Sequence, residues 1–303
     1  MVNFILIAFC IGAGLLFKAQ RWVPADAHKS INAWILYVAL PAVSFKYLPQ
    51  IEWSRQMLVP VLSPVVVWAG SWLFMEFYCR YKKYGQRSRS SLELAGGYSN
   101  TSFIGFPLVA AYLGEQHIPI AIICDQATFL LLATAGIVAA VKGGGAQGGK
   151  VSAAQVGKRL LSFPPFIGCM LALVLSFLVD LSFAEPFFDR LAATVGPLAL
   201  FSIGLQLKFN GWRQQLSQVS SALVYKLLLA PALVVLLVLA TGTRGAVAQV
   251  SVLEAAMPTL VSSGIVAEQY RLNARLVNLI IGIGILLAFL STACWSLVVQ
   301  ALG

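Results

Sequence analysis

The 303-residue chain is 59% apolar and 11% charged, with a formal net charge of +10 and a mean hydropathy of +0.83. An average soluble domain carries about 25% charged residues, so the composition excludes a water-soluble enzyme or binding domain and defines a chain that lies mostly in lipid. The basic excess raises nucleic-acid binding as a class, and the placement of the charges decides against it.

Ten apolar runs follow one another, at residues 2–17, 31–48, 57–79, 91–113, 118–141, 161–180, 186–206, 219–241, 246–267 and 275–301. Most are near the ~20 residues that a spanning helix needs. The first has no Lys or Arg before it and no clear small-residue cleavage site after it, which predicts a retained helix and not a signal peptide. Lys18, Arg21 and Lys29; Arg80, Lys82, Lys83, Arg87 and Arg89; Lys142, Lys150, Lys158 and Arg159; Lys208 and Arg213; and Arg271 and Arg275 all follow odd-numbered runs. The alternate connections hold only Lys46, Arg55, Arg190 and Arg244. The positive-inside rule makes the first set cytoplasmic and puts both termini outside, in a cell (inner) membrane crossed many times. Topology thus accounts for the net charge; the lipid bilayer is the expected partner and nucleic acid is not.

The longest connection, KGGGAQGGKVSAAQVGKR at 142–159, is rich in glycine and basic residues, as a flexible cytoplasmic tether would be. It divides the chain into a first five-helix repeat (1–141), a linker (142–160) and a second five-helix repeat (161–303). An odd number of spans per half predicts that the second half enters the membrane the opposite way up, as an inverted repeat. Prolines echo the pairing: Pro41 with Pro197, Pro64 with Pro231, and Pro107 with Pro258. Cys10, Cys79, Cys124, Cys169 and Cys294 lie in or at the ends of apolar runs, with no CxxC pair and no His at metal spacing, and read as packing residues. No metal site and no cofactor is expected.

Two runs carry the same defect. The fourth contains GGYSNTSFIGFP (96–107) and the ninth EAAMPTLVSSGIVAEQY (254–270), each mixing Gly, Pro, Ser and Thr into otherwise apolar sequence. Proline removes an amide donor and clashes with the preceding turn, and glycine leaves helical dihedrals cheaply, so both helices are expected to be broken. Non-helical backbone at membrane depth survives only where protein or a water-filled cavity satisfies it. Interrupted helices at matching positions of two halves are the best sequence pointer to a transporter's binding site. A half-helix starting at such a break offers free amides and a positive dipole end to a carboxylate, and Asn100, Thr101 and Thr259 add neutral donors. Close packing of small residues is the alternative.

At these residues the chain resembles the auxin efflux carrier superfamily, which includes the plant PIN proteins and bacterial organic-acid permeases for malate or malonate. The resemblance rests on Asn100-Thr101-x-x-x-Gly105-x-Pro107, on EAAMPTLVSSGIVAEQY, on GPLALFSIGLQL (196–207), on KLLLAPAL (226–233) and on YVALPAVSF (37–45). It implies an all-α polytopic membrane protein of ten transmembrane helices in two inverted five-helix repeats, with helices 4 and 9 crossing at their breaks, similar to the bile-acid/sodium symporter fold. It further implies an elevator-like alternation, with helices 1, 2, 6 and 7 as a scaffold and homodimer surface and helices 3–5 and 8–10 as the transport unit. The substrate is then a small organic anion held by Asn100, Thr101, Gly105, Pro107, Pro258, Thr259 and Ser262. The long hydrophilic loop of plant members is replaced by about eighteen residues (142–159), and Thr259 stands where those carriers usually have glutamine. Both departures point away from auxin itself and toward a malate- or malonate-like mono- or dicarboxylate.

Ionisable residues inside the spans are functional candidates by default. Asp125 and Glu254 are the deepest acids, each either a proton or sodium coupling site or a structural acid bonded to a neighbouring helix. Lys226 could snorkel to the interface, pair with a substrate carboxylate, or pair with one of the acids. Glu76, Glu93 and Glu268 fall near span ends and read as interfacial; Gln206, with Ser202 one turn earlier, either lines the cavity or packs helices. An intramembrane protease is the rival enzyme class: it would need two membrane aspartates, HExxH, or a Ser/His pair, and the two histidines, His28 and His117, lie in loops on opposite sides. An enzyme is therefore not expected. A sodium- or proton-coupled symporter of bile-acid type substrates and a passive anion channel remain as alternatives to the anion carrier.

Overall fold

The computed structural model describes residues 2–50, 54–144, 163–179, 182–207 and 212–302. Most of the predicted linker, with Lys150, Lys158 and Arg159, lies outside the described residues, as does Lys208. The described chain is helical: α1 (Val2–Ala19), α2 (27–47), α3 (Arg55–Tyr81), α4a (Gln86–Gly97), α4b (Thr101–Tyr112), α5 (Glu115–Gly143), α6 (Pro164–Leu178), α7 (Glu185–Gln206), α8 (Leu216–Thr241), α9a (Ala246–Ala255), α9b (Val261–Gln269) and α10 (Ala274–Gln300). In each half the fourth helix is the interrupted one.

Among the described residues, five of these helices, α3, α5, α7, α8 and α10, are long and apolar enough to cross a membrane. Shorter apolar helices occur at Ile5–Ala19, Thr101–Tyr112, Pro164–Ser176 and Ala246–Ala255. For three of the other five helices the difference from ten full-length runs has local causes: α4 and α9 are each cut in two, and α2 carries Lys29 and Lys46 within its length. On α8 and α10, Leu228, Leu236, Leu239, Leu290 and Leu297 point outward with 52–69% of their surface exposed. An apolar surface of this kind suits lipid and not water.

Prolines shape the helices in a recurring way. Wide π-type turns at Ile35–Ala39, Thr101–Gly105 and Tyr225–Leu229 each end two residues before a proline, Pro41, Pro107 and Pro231. A proline cannot donate to the carbonyl four residues earlier and its ring crowds that carbonyl, so the preceding turn widens. At Pro231 the affected carbonyl is that of Leu227, which accepts Trp295 Nε1–H from α10 at 2.8 Å. Tertiary contact thus satisfies the group that the proline strands.

The chain divides into two compact units, each assembled from three stretches. The first comprises Met1–Trp53, Ser102–Ile122 and Gly157–Leu207; the second comprises Ser54–Thr101, Ile123–Val156 and Lys208–Gly303. In the first unit α1 meets α7 at a glycine pair: a Cβ on Gly14 would stand 2.9 Å from the Gly204 Cα, and a Cβ on Gly204 the same 2.9 Å from the Gly14 Cα. Lipid gives no hydrophobic drive between helices, so bare glycine faces let dispersion contacts form instead. α2 and α7 are joined by stacked Phe45 and Phe188 rings, 4.8 Å between centroids, and by the Lys46–Asp189 ion pair at 3.0 Å. In the second unit Tyr225 of α8 donates its hydroxyl to Val67 O of α3 at 2.5 Å. A Cβ on Gly96 of α4a would stand 3.2 Å from the Tyr225 ring. α3, α4a and α8 therefore pack around one buried tyrosine.

Candidate functional site at the crossing of two interrupted helices

The site is built from the two breaks, both of which belong to the second unit. α4a ends at Gly97, Tyr98 turns extended (φ −131°, ψ 124°), and helical turns resume at Thr101. α9a ends at Ala255, the chain runs through Pro258 and Thr259, and Leu260 (φ −60°, ψ 129°) leads into α9b. The extended pieces cross as a single antiparallel bridge, Ser99 opposite Thr259. Asn100 N–H donates to Pro258 O at 2.8 Å and Leu260 N–H to Tyr98 O at 2.9 Å. In such a pair the N–H and C=O groups of the two central residues face away from each other. The crossing thus closes part of its own backbone and turns the polar groups of Ser99 and Thr259 outward.

The side chains at the crossing divide into satisfied and unsatisfied groups. Thr259 is fully buried and its Oγ1 donates to Ala95 O at 2.6 Å, covering a carbonyl in the last turn of α4a. Thr101, in the wide turn ahead of Pro107, donates its hydroxyl to Asp125 Oδ1 of α5 at 2.6 Å. Asn100 is fully buried, and neither Oδ1 nor Nδ2 has a hydrogen-bond partner among the described residues. Leaving a buried amide unsatisfied costs about 1–3 kcal/mol. A carboxamide held at that cost beside an opened backbone is available to a ligand.

Lys226 lies in the wide turn ahead of Pro231 and is fully buried, so it does not snorkel to the interface. Its Nζ donates to Ser99 Oγ at 2.7 Å and to Ala255 O at 2.9 Å, linking the two breaks. Glu254, one residue earlier on α9a, is 1% exposed, and neither of its carboxyl oxygens accepts a hydrogen bond among the described residues. Its electrostatic neighbours are Asp125 of α5 and Lys226 of α8. Ser251, one turn before Glu254, is also buried, with its hydroxyl toward the Cys124 thiol. Ser262, in the first turn of α9b, is half-buried.

The remaining predicted residues lie elsewhere. Gly105 and Pro107 of α4b, and Ser202 and Gln206 of α7, belong to the first unit. There Ser202 Oγ donates to Asn32 Oδ1 at 2.6 Å, and Gln206 Nε2 donates to Ser202 Oγ at 3.1 Å, a helix-joining network. Glu76 and Glu93 are not free interfacial acids: Arg89 pairs with both, with its Nε 2.8 Å from Glu93 Oε1, and Arg80 also pairs with Glu76. Glu268 is exposed. Sequence reasoning did not single out Ser99, Ser251 or the carbonyls of Ala95 and Ala255. Ser251 carried a readable signal, since it lies three residues before Glu254 on one helix face; the carbonyls carried none.

A helical chain with an apolar exterior and two interrupted helices crossed over buried, unpartnered polar groups defines a polytopic membrane transporter. Comparison with known proteins fixes the family. The chain belongs to the membrane transport protein family, the family of the auxin efflux carriers, whose sequence model matches residues 1–148 and 149–296. It is 24% identical over 289 residues to an uncharacterized transporter of Methanothermobacter thermautotrophicus, covering 94% of this chain and 93% of that one. It is 25% identical over 305 residues to an uncharacterized transporter of Methanocaldococcus jannaschii, covering 96% of each. It is also 30% identical over 261 residues to a Rhizobium meliloti protein provisionally named a malonate transporter, covering 82% of this chain and 79% of that one.

Proposed function

We propose that this chain is a secondary transporter for a small organic anion, a mono- or dicarboxylate, which binds where α4 and α9 cross. The observation that carries the reading is Asn100: a fully buried carboxamide with both polar atoms unpartnered, at the point where two helices are opened. Its Nδ2–H groups can donate to a carboxylate, and the start of α9b adds orphan amides and a positive dipole end. Thr101 and Thr259 hold the walls of the site through Asp125 and Ala95. The name of the Rhizobium meliloti relative favours a malonate-like dicarboxylate over auxin.

Alternating access follows by elevator motion in which the second unit, containing the whole crossing, carries the anion, and the first unit supplies the scaffold and a homodimer surface. The division of the chain supports this assignment for α1, α2, α6 and α7 against α3, α4a and α8–α10, whereas Ser102–Ile122, with α4b and the start of α5, falls in the first unit and not with the helices 3–5 expected to carry substrate; the charge distribution supports a cytoplasmic linker with both termini outside.

The test is uptake into proteoliposomes of labelled malonate, malate, succinate and indole-3-acetate, with counterflow, for the wild type and Asn100→Ala. Saturable uptake with counterflow for one carboxylate, reduced about ten- to a hundredfold in Asn100→Ala, is the expected result, the loss of one charge-assisted hydrogen bond. Flux that neither saturates nor shows counterflow makes the protein an anion channel, and uptake unaltered in Asn100→Ala moves the site away from the crossing.

A further inference from the structure

We infer that the Lys226 ammonium is a built-in cation at the crossing, seated where a free monovalent cation would otherwise bind, so that the anion is carried without sodium. The inference rests on the crossing being the transport site for its functional half, and on the coordination of Lys226 alone for its structural half.

Three observations carry it. The first is the donor set: Nζ is held by a hydroxyl oxygen from one break, Ser99 Oγ at 2.7 Å, and a main-chain oxygen from the other, Ala255 O at 2.9 Å. Ala255 is the last residue of α9a, so its carbonyl is among those left without an intrahelical donor at the negative end of the helix dipole. Carbonyls at the end of a half-helix and in unwound backbone are the groups that coordinate a coupling cation in transporters with broken helices. The second is Glu254, next in the chain and 1% exposed, with no hydrogen-bond partner for either oxygen among the described residues and with Lys226 and Asp125 as its electrostatic neighbours. A buried acid next to these two neutral oxygens can carry its charge only with a cation at hand, and Lys226 is the cation beside it. The third is how the ammonium is delivered. The wide turn Tyr225–Leu229 ahead of Pro231 carries Lys226, and Trp295 Nε1 fixes that turn through Leu227 O. A free ion in this position would bind and leave with each cycle, whereas a lysine cannot leave.

The experiment removes the tether and offers free cations to the purified full-length protein. Wild type, Lys226→Ala and Lys226→Met are compared in detergent for thermal unfolding, and in proteoliposomes for uptake. The media contain sodium, methylammonium or choline chloride, choline being too large for the vacated space. Wild type is expected to unfold and transport alike in all three salts. Lys226→Ala is expected to lose on the order of tenfold or more of its uptake in choline chloride, because Ser99 Oγ, Ala255 O and Glu254 then lack their cation. Sodium or methylammonium should raise its unfolding temperature and restore part of the uptake. Lys226→Met, which fills the space without charge, should not respond.

A wild type whose unfolding or uptake depends severalfold on sodium overturns the inference, and so does a Lys226→Ala protein that no cation stabilises. Should Lys226→Ala survive solubilisation only in the sodium or methylammonium salt, that supports the inference; loss in all three salts counts against it. The unfolding measurement contains no substrate. Absence of anion uptake together with cation-dependent unfolding of Lys226→Ala would therefore sink the transport reading and leave the resident cation standing.

Discussion

The two breaks are alike in sequence and different in chemistry. Both replace a helical turn with extended backbone, and each donates one amide to the other, Asn100 N–H to Pro258 O and Leu260 N–H to Tyr98 O. The polar side chain of the ninth-helix break, Thr259, is turned back onto Ala95 O and serves the end of α4a. That of the fourth-helix break, Asn100, is turned to nothing in the described chain. One break is closed by the fold and the other is held open by it. A matched pair of interrupted helices is thus not a pair of equivalent half-sites: Asn100 lacks a hydrogen-bond partner among the described residues and Thr259 has one, and in the proposed reading the first meets the ligand and the second holds the wall.

Substitutions at the crossing can break or sharpen this contrast. The largest effect is expected at Asn100. Asn100→Ala should lose about ten- to a hundredfold in anion uptake while its unfolding temperature in detergent stays level, because the amide it deletes is unsatisfied in the ligand-free protein. A substantial drop in unfolding temperature would make Asn100 a structural residue and end the contrast. Next comes Thr101→Val, which removes a buried donor to Asp125 Oδ1. A loss of about 1–3 kcal/mol of stability is expected, read by thermal or denaturant unfolding, together with weakened uptake because Asp125 then loses one of the bonds that orient it. Thr259→Val keeps the shape of the side chain and strands Ala95 O, so about 1 kcal/mol of stability should go with the apparent affinity for the anion unchanged. If the affinity falls as far as in Asn100→Ala, the ninth-helix break contributes to the site directly. Smallest is Ser262→Ala, at a half-buried position in the first turn of α9b, where a change within about 0.5 kcal/mol is expected in stability and little in uptake. A larger loss of uptake than of stability there would extend the site along α9b.

Much of the framework is legible in the sequence because it follows from short-range rules. Apolar runs separated by basic loops define helices in lipid, and the order of those runs matches the order of α1 to α10 with shifts of a few residues at the ends. α4a begins at Gln86, several residues before its apolar run, because a first turn rich in Ser and Arg costs nothing at a helix end that reaches water. Gly96, Gly97 and Pro258 in apolar surroundings announce the two interruptions through local dihedral cost and the missing amide. Three of the four wide turns among the described residues were legible in principle, since they end two residues before a proline, yet the signal is incomplete: Pro64 sits inside α3 with no such turn, and Leu132–Gly136 widens with no proline after it.

By itself, then, the sequence determined that this protein is a membrane-embedded helical chain with two opened helices, because lipid and the peptide unit dictate that much from composition and from the positions of glycine and proline. Only the tertiary structure decided what the polar residues at those openings do. Lys226 reaches Ser99 across 127 residues of chain and Thr259 reaches Ala95 across 164, and partners that far apart are set by the register in which helices cross, which no local pattern encodes. The same register left the side chains of Asn100 and Glu254 without hydrogen-bond partners among the described residues. A buried polar group becomes a site when the packing around it supplies no other use for it.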